Sequence, residues 1–311
     1  MIKNSIKHFL VIGYGSIGSR HCKLLHKQGH EVAVVTHRED CPFLSFSSIN
    51  SALKKFPAEI LIIANRTNDH ASALLDIVSL KYSGIIIVEK PLFSRLENLF
   101  SEIDLAKIFV AYNLRFHPIV QRIKHILKEH TLYSAQFYVG QYLPTWRPDT
   151  DYRKCYSAFQ SQGGGALRDL SHELDMSQWL TGRWKSVAAL GGKFSDLKID
   201  SDDLFCLLME TEYCPAVTIQ VNYLDRCTRR EIVVNADGIS IKADLIAGKL
   251  KINDRTENFE LGRDETYSKQ LNALSNEDYS EMCSYLYGVE VMKLIEASEK
   301  AAEEKKWIRR I

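Results

Sequence analysis

Long apolar runs, a surplus of either charge and paired cysteines are all missing from this chain of 311 residues. No apolar stretch approaches the ~20 residues that cross a bilayer. The first, Phe9-Leu10-Val11-Ile12, gives way at once to glycine, and the opening residues carry no signal-peptide pattern. No membrane partner is expected. Lys plus Arg number 40 against 39 Asp plus Glu, a net charge of +1. No run supplies the basic patch with which a nucleic-acid binder neutralises phosphates, so no nucleic-acid partner is expected either. The seven cysteines (22, 41, 155, 206, 214, 227, 283) are odd in number and include no C-x-x-C pair. That excludes a disulfide framework and a cysteine-rich zinc centre, and it points to reduced thiols in a cytoplasm. A composition of 45% hydrophobic and 25% charged residues is that of an ordinary folded protein. At about 150 residues per domain the length predicts two domains.

What is present has a clear order. Residues 8–12, 31–36, 59–64, 84–88 and 108–111 are short apolar, β-branched runs, the pattern of parallel strands covered on both faces. Helical stretches separate them, the first over 16–28 with Gly29 as its C-terminal cap. This rhythm predicts α/β architecture with a doubly wound parallel sheet over roughly the first 115 residues. From about residue 130 the period changes to two. Val217, Ile219, Val221 and Tyr223 alternate with polar residues, as do Ile239, Ile241, Ala243 and Leu245, and Asp237-Gly238 marks a hairpin turn. The expected division is therefore 1–117 and 118–311, the second domain being α+β with a large, mostly antiparallel open sheet. Tyr279, Met282, Leu286, Val289 and Met292 recur at helical spacing and are expected in a core, whereas Glu303-Glu304-Lys305-Lys306 is expected to be a solvated face.

Three clusters can carry chemistry. Gly13, Gly15 and Gly18, with Tyr14, Ser16 and Ile17 between them, form G-x-G-x-x-G between a strand and a helix. Gly13 allows the sharp turn, Gly15 lets a pyrophosphate approach, and Gly18 lets helix and strand pack closely. The helix N-terminus then offers free N–H groups to the phosphates. At the end of the second strand, where NAD binders place a carboxylate, stands Thr36-His37-Arg38. A hydroxyl followed by a guanidinium suits a 2′-phosphate and favours NADP over NAD. The alternative is that Glu39-Asp40 fills the acid's role by a shift of register and Arg38 is a surface charge. Further on, Glu89-Lys90-Pro91 ends the strand 84–88, and Pro91 keeps Lys90 extended at the edge where ligands of such sheets sit. Lys90 is there a candidate for proton transfer or for hydrogen bonding to a reacting oxygen. After Gly163-Gly164-Gly165, a helical pattern puts Asp169, His172 and Asp175 on one face. His172 is a natural proton carrier between alcohol and ketone, with the carboxylates to orient it. With a single His and no nearby Cys, no metal is expected; the bland alternative is a satisfied polar helix start.

Residues 13–21 (G-x-G-x-x-G-x-R-H), Glu89-Lys90-Pro91, 111–118 (Ala-Tyr-Asn-Leu-Arg-Phe-His-Pro) and 163–180 follow the order and spacing of the Gfo/Idh/MocA oxidoreductases. The chain resembles that family over residues 8–180. The resemblance implies an N-terminal Rossmann domain, a C-terminal α/β domain whose sheet builds a homodimer or homotetramer, and hydride transfer between a nicotinamide cofactor and a sugar, sugar acid or nucleotide sugar. It implies Lys90 as the family's lysine, His172 as proton donor or acceptor and Asp169 as its partner, here spaced D-x-x-H rather than D-x-x-x-H. It also implies cofactor contacts at Asn65, His70 and Glu89. The segment 146–158 looks like a subgroup associated with surface-glycan biosynthesis, in which Tyr152 and Arg153 are candidates for substrate contact. Two other functions remain on the same fold: a cofactor-binding sensor without turnover, and a glycosidase-like enzyme that keeps its NAD bound.

Overall fold

The structure, a computed structural model, describes residues 5–96, 104–148 and 150–310. It divides into two compact units, Met1–Phe116 with Arg263–Val289 and His117–Gly262 with Glu290–Ile311. Two consecutive segments cut at 117 describe it incompletely, because residues 263–289 return to the first unit.

In the first unit run β1 (His8–Ile12), α1 (Ser16–Lys27), β2 (Glu31–Val35), β3 (Leu44–Phe46), α2 (Ile49–Lys55), β4 (Ile60–Ile63), α3 (His70–Ser79), β5 (Ile85–Val88) and β6 (Ile108–Val110). The strands pair in parallel in the order β6-β5-β4-β1-β2-β3, the Rossmann arrangement, and the order reverses between β1 and β4. Ligand crevices of such sheets open at that reversal. Phe9, Leu10, Val11, Leu61, Ile62 and Ile63 are fully buried, as unbroken apolar strands require. Each contributes about 1.5–3 kcal/mol through the apolar surface it hides. The short β3 has no apolar run of its own and escapes the sequence pattern.

The ladder continues one residue past each strand. Gly13 N–H donates to the Val35 carbonyl, Ala64 to Ile12, Glu89 to Ile63 and Ala111 to Val88, at 2.8–2.9 Å. The residues that follow β1, β4 and β5 are thereby aligned along one carboxyl edge.

The second unit opens with α4 (Pro118–Leu127), β7 (Leu132–Gly140), α5 (Leu143–Trp146), α6 (Ala166–Asp169) and α7 (His172–Thr181). It continues through β8 (Trp184–Gly192), β9 (Leu204–Thr211), β10 (Val217–Asn222), β11 (Arg229–Ala236), β12 (Ile239–Asp244), β13 (Lys249–Ile252) and β14 (Arg255–Asn258). The chain then returns to the first unit with α8 (Glu265–Ser275) and β15 (Cys283–Ser284), the latter pairing antiparallel with β6. Leu271 and Leu274 of α8 and Met282 complete the core that contains Phe9, Val11 and Ile62, which is why this segment packs there. Last come α9 (Tyr285–Glu304) and β16 (Ile308–Arg309).

Nine strands form the second sheet, ordered β14-β13-β12-β11-β7-β10-β9-β8-β16. All its pairings are antiparallel except β7 with β10. The Asp237-Gly238 turn joins β11 to β12 with Gly238 at φ +72. Glu173 of α7, 1% exposed, pairs with Arg230 of β11 at 2.8 Å and ties the helix to the sheet.

Two expectations are corrected. Asp169, His172 and Asp175 do not share one helix, since Asp169 ends α6 and His172 opens α7. Leu170 leaves the helical region (φ −99, ψ 26), and Ser171 N–H donates to the Arg168 carbonyl at a long 3.4 Å. The stripe from Tyr279 to Met292 is not one core helix either. Tyr279 and Met282 precede α9, and Leu286 within it is 59% exposed. Residues 303–306 are exposed, as a solvated face should be.

Candidate functional site

The glycine loop at the carboxyl edge of the first sheet separates two requirements. Gly13 has φ +98, and a Cβ there would stand 2.7 Å from the backbone of Asn65. A Cβ on Gly18 would stand 2.0 Å from the Gly13 carbonyl oxygen. Both glycines answer to the protein's own packing. Gly15 is exposed and a Cβ on it would meet no atom within 4 Å, so the protein leaves that space to something else. Ser16 and Ile17 open α1 there with no side-chain cap and no acidic residue in the first turn, which leaves amide donors and the positive helix end for an anion. Asn65 borders the loop; its Nδ2 donates to the Asp69 carbonyl at 3.3 Å, while its buried Oδ1 has no partner among the described residues. An exposed glycine cradle, uncapped amides and an orphaned carbonyl oxygen fit a dinucleotide. Tyr14 flanks the loop with its ring edge-on to Phe43.

At the end of β2, Thr36 Oγ1 accepts from Arg38 N–H at 3.1 Å, and His37 is exposed. The Arg38 guanidinium forms two bonds with Asp40, at 2.8 and 2.6 Å, with both side chains mostly in solvent. The hydroxyl and guanidinium are thus adjacent. The acid beside them is engaged with Arg38.

Past β5 the chain turns through a cis Lys90–Pro91 bond, with Lys90 half-buried. Glu89 is buried, with one oxygen 2.7 Å from His21 Nε2 of α1 and the other accepting Lys90 N–H at 3.2 Å. His70 opens α3 but its ring is turned to this loop, with Nδ1 at 3.2 and 3.1 Å from the Pro91 and Leu92 carbonyls. Burial lowers the His70 pKa, so the ring is neutral and donates. Of the cofactor contacts the resemblance implies in this unit, Glu89 and His70 therefore hold the Lys90 turn.

In the second unit Asp169 is 2% exposed and accepts three hydroxyls, from Tyr156, from Ser157 at 2.6 Å and from Tyr223 at 2.6 Å. Burial, reinforced by the Asp169 carboxylate, raises both tyrosine pKa values well above the usual range. They stay protonated as donors. His172, 9% exposed, opens the next helix, and Asp175 lies one turn on, 1% exposed. Tyr152 Oη accepts from Lys198 N–H at 3.4 Å, and Arg153 is fixed by Asp151 at 2.8 and 2.9 Å. Asp149 of the same segment lies outside the described residues. Arg147 is the less expected neighbour: its guanidinium lies 5.3 Å from the Trp146 ring and 5.4 Å from that of Tyr156, and it reaches Ser157 Oγ at 3.5 Å. Arg147, Tyr156 and Ser157 lie within the segment 146–158 but are not singled out in it, and Tyr223 stands only in a strand pattern. Only the fold joins Tyr223 to Asp169, across 54 residues. Among the described residues no group of three His, Cys, Asp or Glu is placed to hold a metal.

Residues 120–241 match the family model described as the GFO/IDH/MocA C-terminal domain. Ktr system potassium uptake protein A of Bacillus subtilis (strain 168) is 33% identical over 124 residues, 39% of this chain; the match spans about half, 51%, of that relative. Among solved structures, a levoglucosan dehydrogenase in complex with NADH superposes with a TM-score of 0.85 at 18% identity, covering 98% of this chain and 99% of that one. The WlbA dehydrogenase from Bordetella pertussis, in complex with NADH and UDP-GlcNAcA, gives 0.78 at 17% identity over 98% and 99%. The fold is thus shared along almost the whole chain, and residues 120–241 are the part that matches the Gfo/Idh/MocA C-terminal domain.

Proposed function

We propose that the chain is an NAD(P)-dependent oxidoreductase acting on a CH–OH group of a sugar, sugar acid or nucleotide sugar. The observation that carries this is the pairing, on one sheet edge, of a glycine cradle open only at Gly15 with a braced turn that presents Lys90. The whole-chain likeness to dehydrogenases solved with NADH supports it. A bound nicotinamide supplies the acceptance or donation of hydride. The chain's own part is to hold the cofactor through Gly13–Gly18 amides, Asn65 and the β2 end, and to move a proton at Lys90 and His172. A sensor without turnover needs neither of those side chains, and neither rival is favoured over a dehydrogenase.

Arg38 and Thr36 support NADP as the cofactor, since a 2′-phosphate offers the guanidinium a doubly charged partner in place of the exposed Asp40. Arg147, held by two rings and a hydroxyl, is better suited than the Asp151-bound Arg153 to a substrate carboxylate or phosphate. The seven free thiols are in keeping with a reducing cytoplasm. The outer face of the second sheet supports a homodimer or homotetramer, because Leu190, Leu208 and Trp307 are exposed there at 69%, 45% and 52%. Lys90→Met and His172→Leu test the assignment. Each is expected to lower kcat by roughly 100-fold or more while NADPH affinity, read by its fluorescence, changes little. Wild-type turnover in both variants would refute it.

A further inference from the structure

The glycine motif continues past its last glycine to His21, whose side chain is fully buried on the inner face of α1. Nothing in phosphate binding asks for an imidazole there. Its Nε2 lies 2.7 Å from Glu89, and that carboxylate also accepts the N–H of Lys90. An N–H at Nδ1 would be buried with no acceptor among the described residues, so the proton sits on Nε2 and the ring donates to the carboxylate. From the other side His70 donates to the Pro91 and Leu92 carbonyls. Residues 89, 91 and 92 are each held by these bonds, and Lys90 is the residue they flank in the chain.

Two apolar side chains of the same volume would fill this site without the cost of desolvating a carboxylate. A desolvated pair held against that cost, and bonded to the backbone of a single lysine, sets geometry rather than filling space. The same helix that carries His21 presents the Gly15 cradle from its first turn, so one rigid element carries both the anion site and the brace.

We propose that His21 and Glu89 form a buried couple that fixes the position of the Lys90 amine relative to the cradle, making His21 a positioning residue. This rests on the assignment of Lys90 above. The experiment compares wild type with His21→Gln, which keeps a donor near Nε2, and with the double variant His21→Leu/Glu89→Leu, which removes both polar groups together and leaves no buried charge unpaired. Melting temperature reports the fold, nicotinamide fluorescence the cofactor affinity, and mass spectrometry the rate at which an acylating reagent modifies Lys90 in the protein without cofactor. The double variant is expected to fold and bind NADPH, with kcat lowered roughly 10- to 100-fold and a changed Lys90 acylation rate. His21→Gln is expected to keep most of both. Wild-type kcat and acylation in the double variant would reduce the couple to core packing and overturn the proposal. If wild type itself moves no hydride, the role of Lys90 in the reaction fails while the acylation rate still decides the couple: changed upholds it, unchanged overturns it.

Discussion

Single residues divide sharply into those that serve the fold and those left for a ligand, and the glycine loop shows the division best. Gly15→Ala is expected to fold with an unchanged melting temperature and to lose roughly 10-fold or more in NADPH affinity, because the added methyl enters only the open cradle. Gly18→Ala is expected to lose stability, by about 2 kcal/mol or more, because its methyl meets the Gly13 carbonyl oxygen at 2.0 Å. Thermal melts beside a fluorescence titration read both; equal losses of stability would contradict the assignment. This loop was legible in the sequence, since glycine spacing between a strand and a helix is local. Asp169 was legible only as a residue. Its three hydroxyl donors come from 12, 13 and 54 residues away, and no local pattern announces them. The loop partners of His70 were hidden for the same reason: its ring meets a carbonyl 21 residues on.

At the scale of elements, hydrophobic periodicity recovered the parallel strands and the hairpin at Asp237-Gly238, because burial on both faces or on one writes directly into the pattern. It failed where polar contacts decide. The helical pattern expected after Gly163-Gly164-Gly165 breaks after Asp169, and the start of α6 is set by Asp202, whose Oδ2 accepts Leu167 N–H at 2.9 Å while its backbone carbonyl accepts Ala166 N–H. Burial pushes the Asp202 carboxyl up to about 7. A raised folded-state pKa makes the protonated form the favoured one, so this stabilisation is complete below the unfolded value near 4 and is lost as pH rises through about 7. Asp202→Asn keeps an acceptor and carries no charge. It is expected to raise the melting temperature by a few degrees at pH 8, with the advantage shrinking toward pH 5, the scale of roughly 1–2 kcal/mol. A gain of equal size at both pH values would show that the carboxyl does not titrate there.

For the whole molecule, the sequence indicated two domains of the right classes but not the return of residues 263–289 to the first unit. A segment comes back when its apolar face completes a distant core, as Leu271 and Leu274 do, and nothing near them in the chain says so. The exposed Leu190, Leu208 and Trp307 belong to this scale too. Leu208→Glu with Trp307→Glu is expected to lower the mass seen by light scattering to that of a smaller assembly, and a wild-type chain that already runs as a monomer would remove the need for that face. The most direct measurement of the central claim is the appearance of reduced nicotinamide when the purified chain meets NADP or NAD together with a panel of sugars, sugar acids and nucleotide sugars, run beside Lys90→Met. Substrate-dependent reduction by wild type, faster with NADP and abolished by the substitution, is the expected result; release of an aglycone without net reduction, or binding of cofactor with no turnover on any member of the panel, would contradict it.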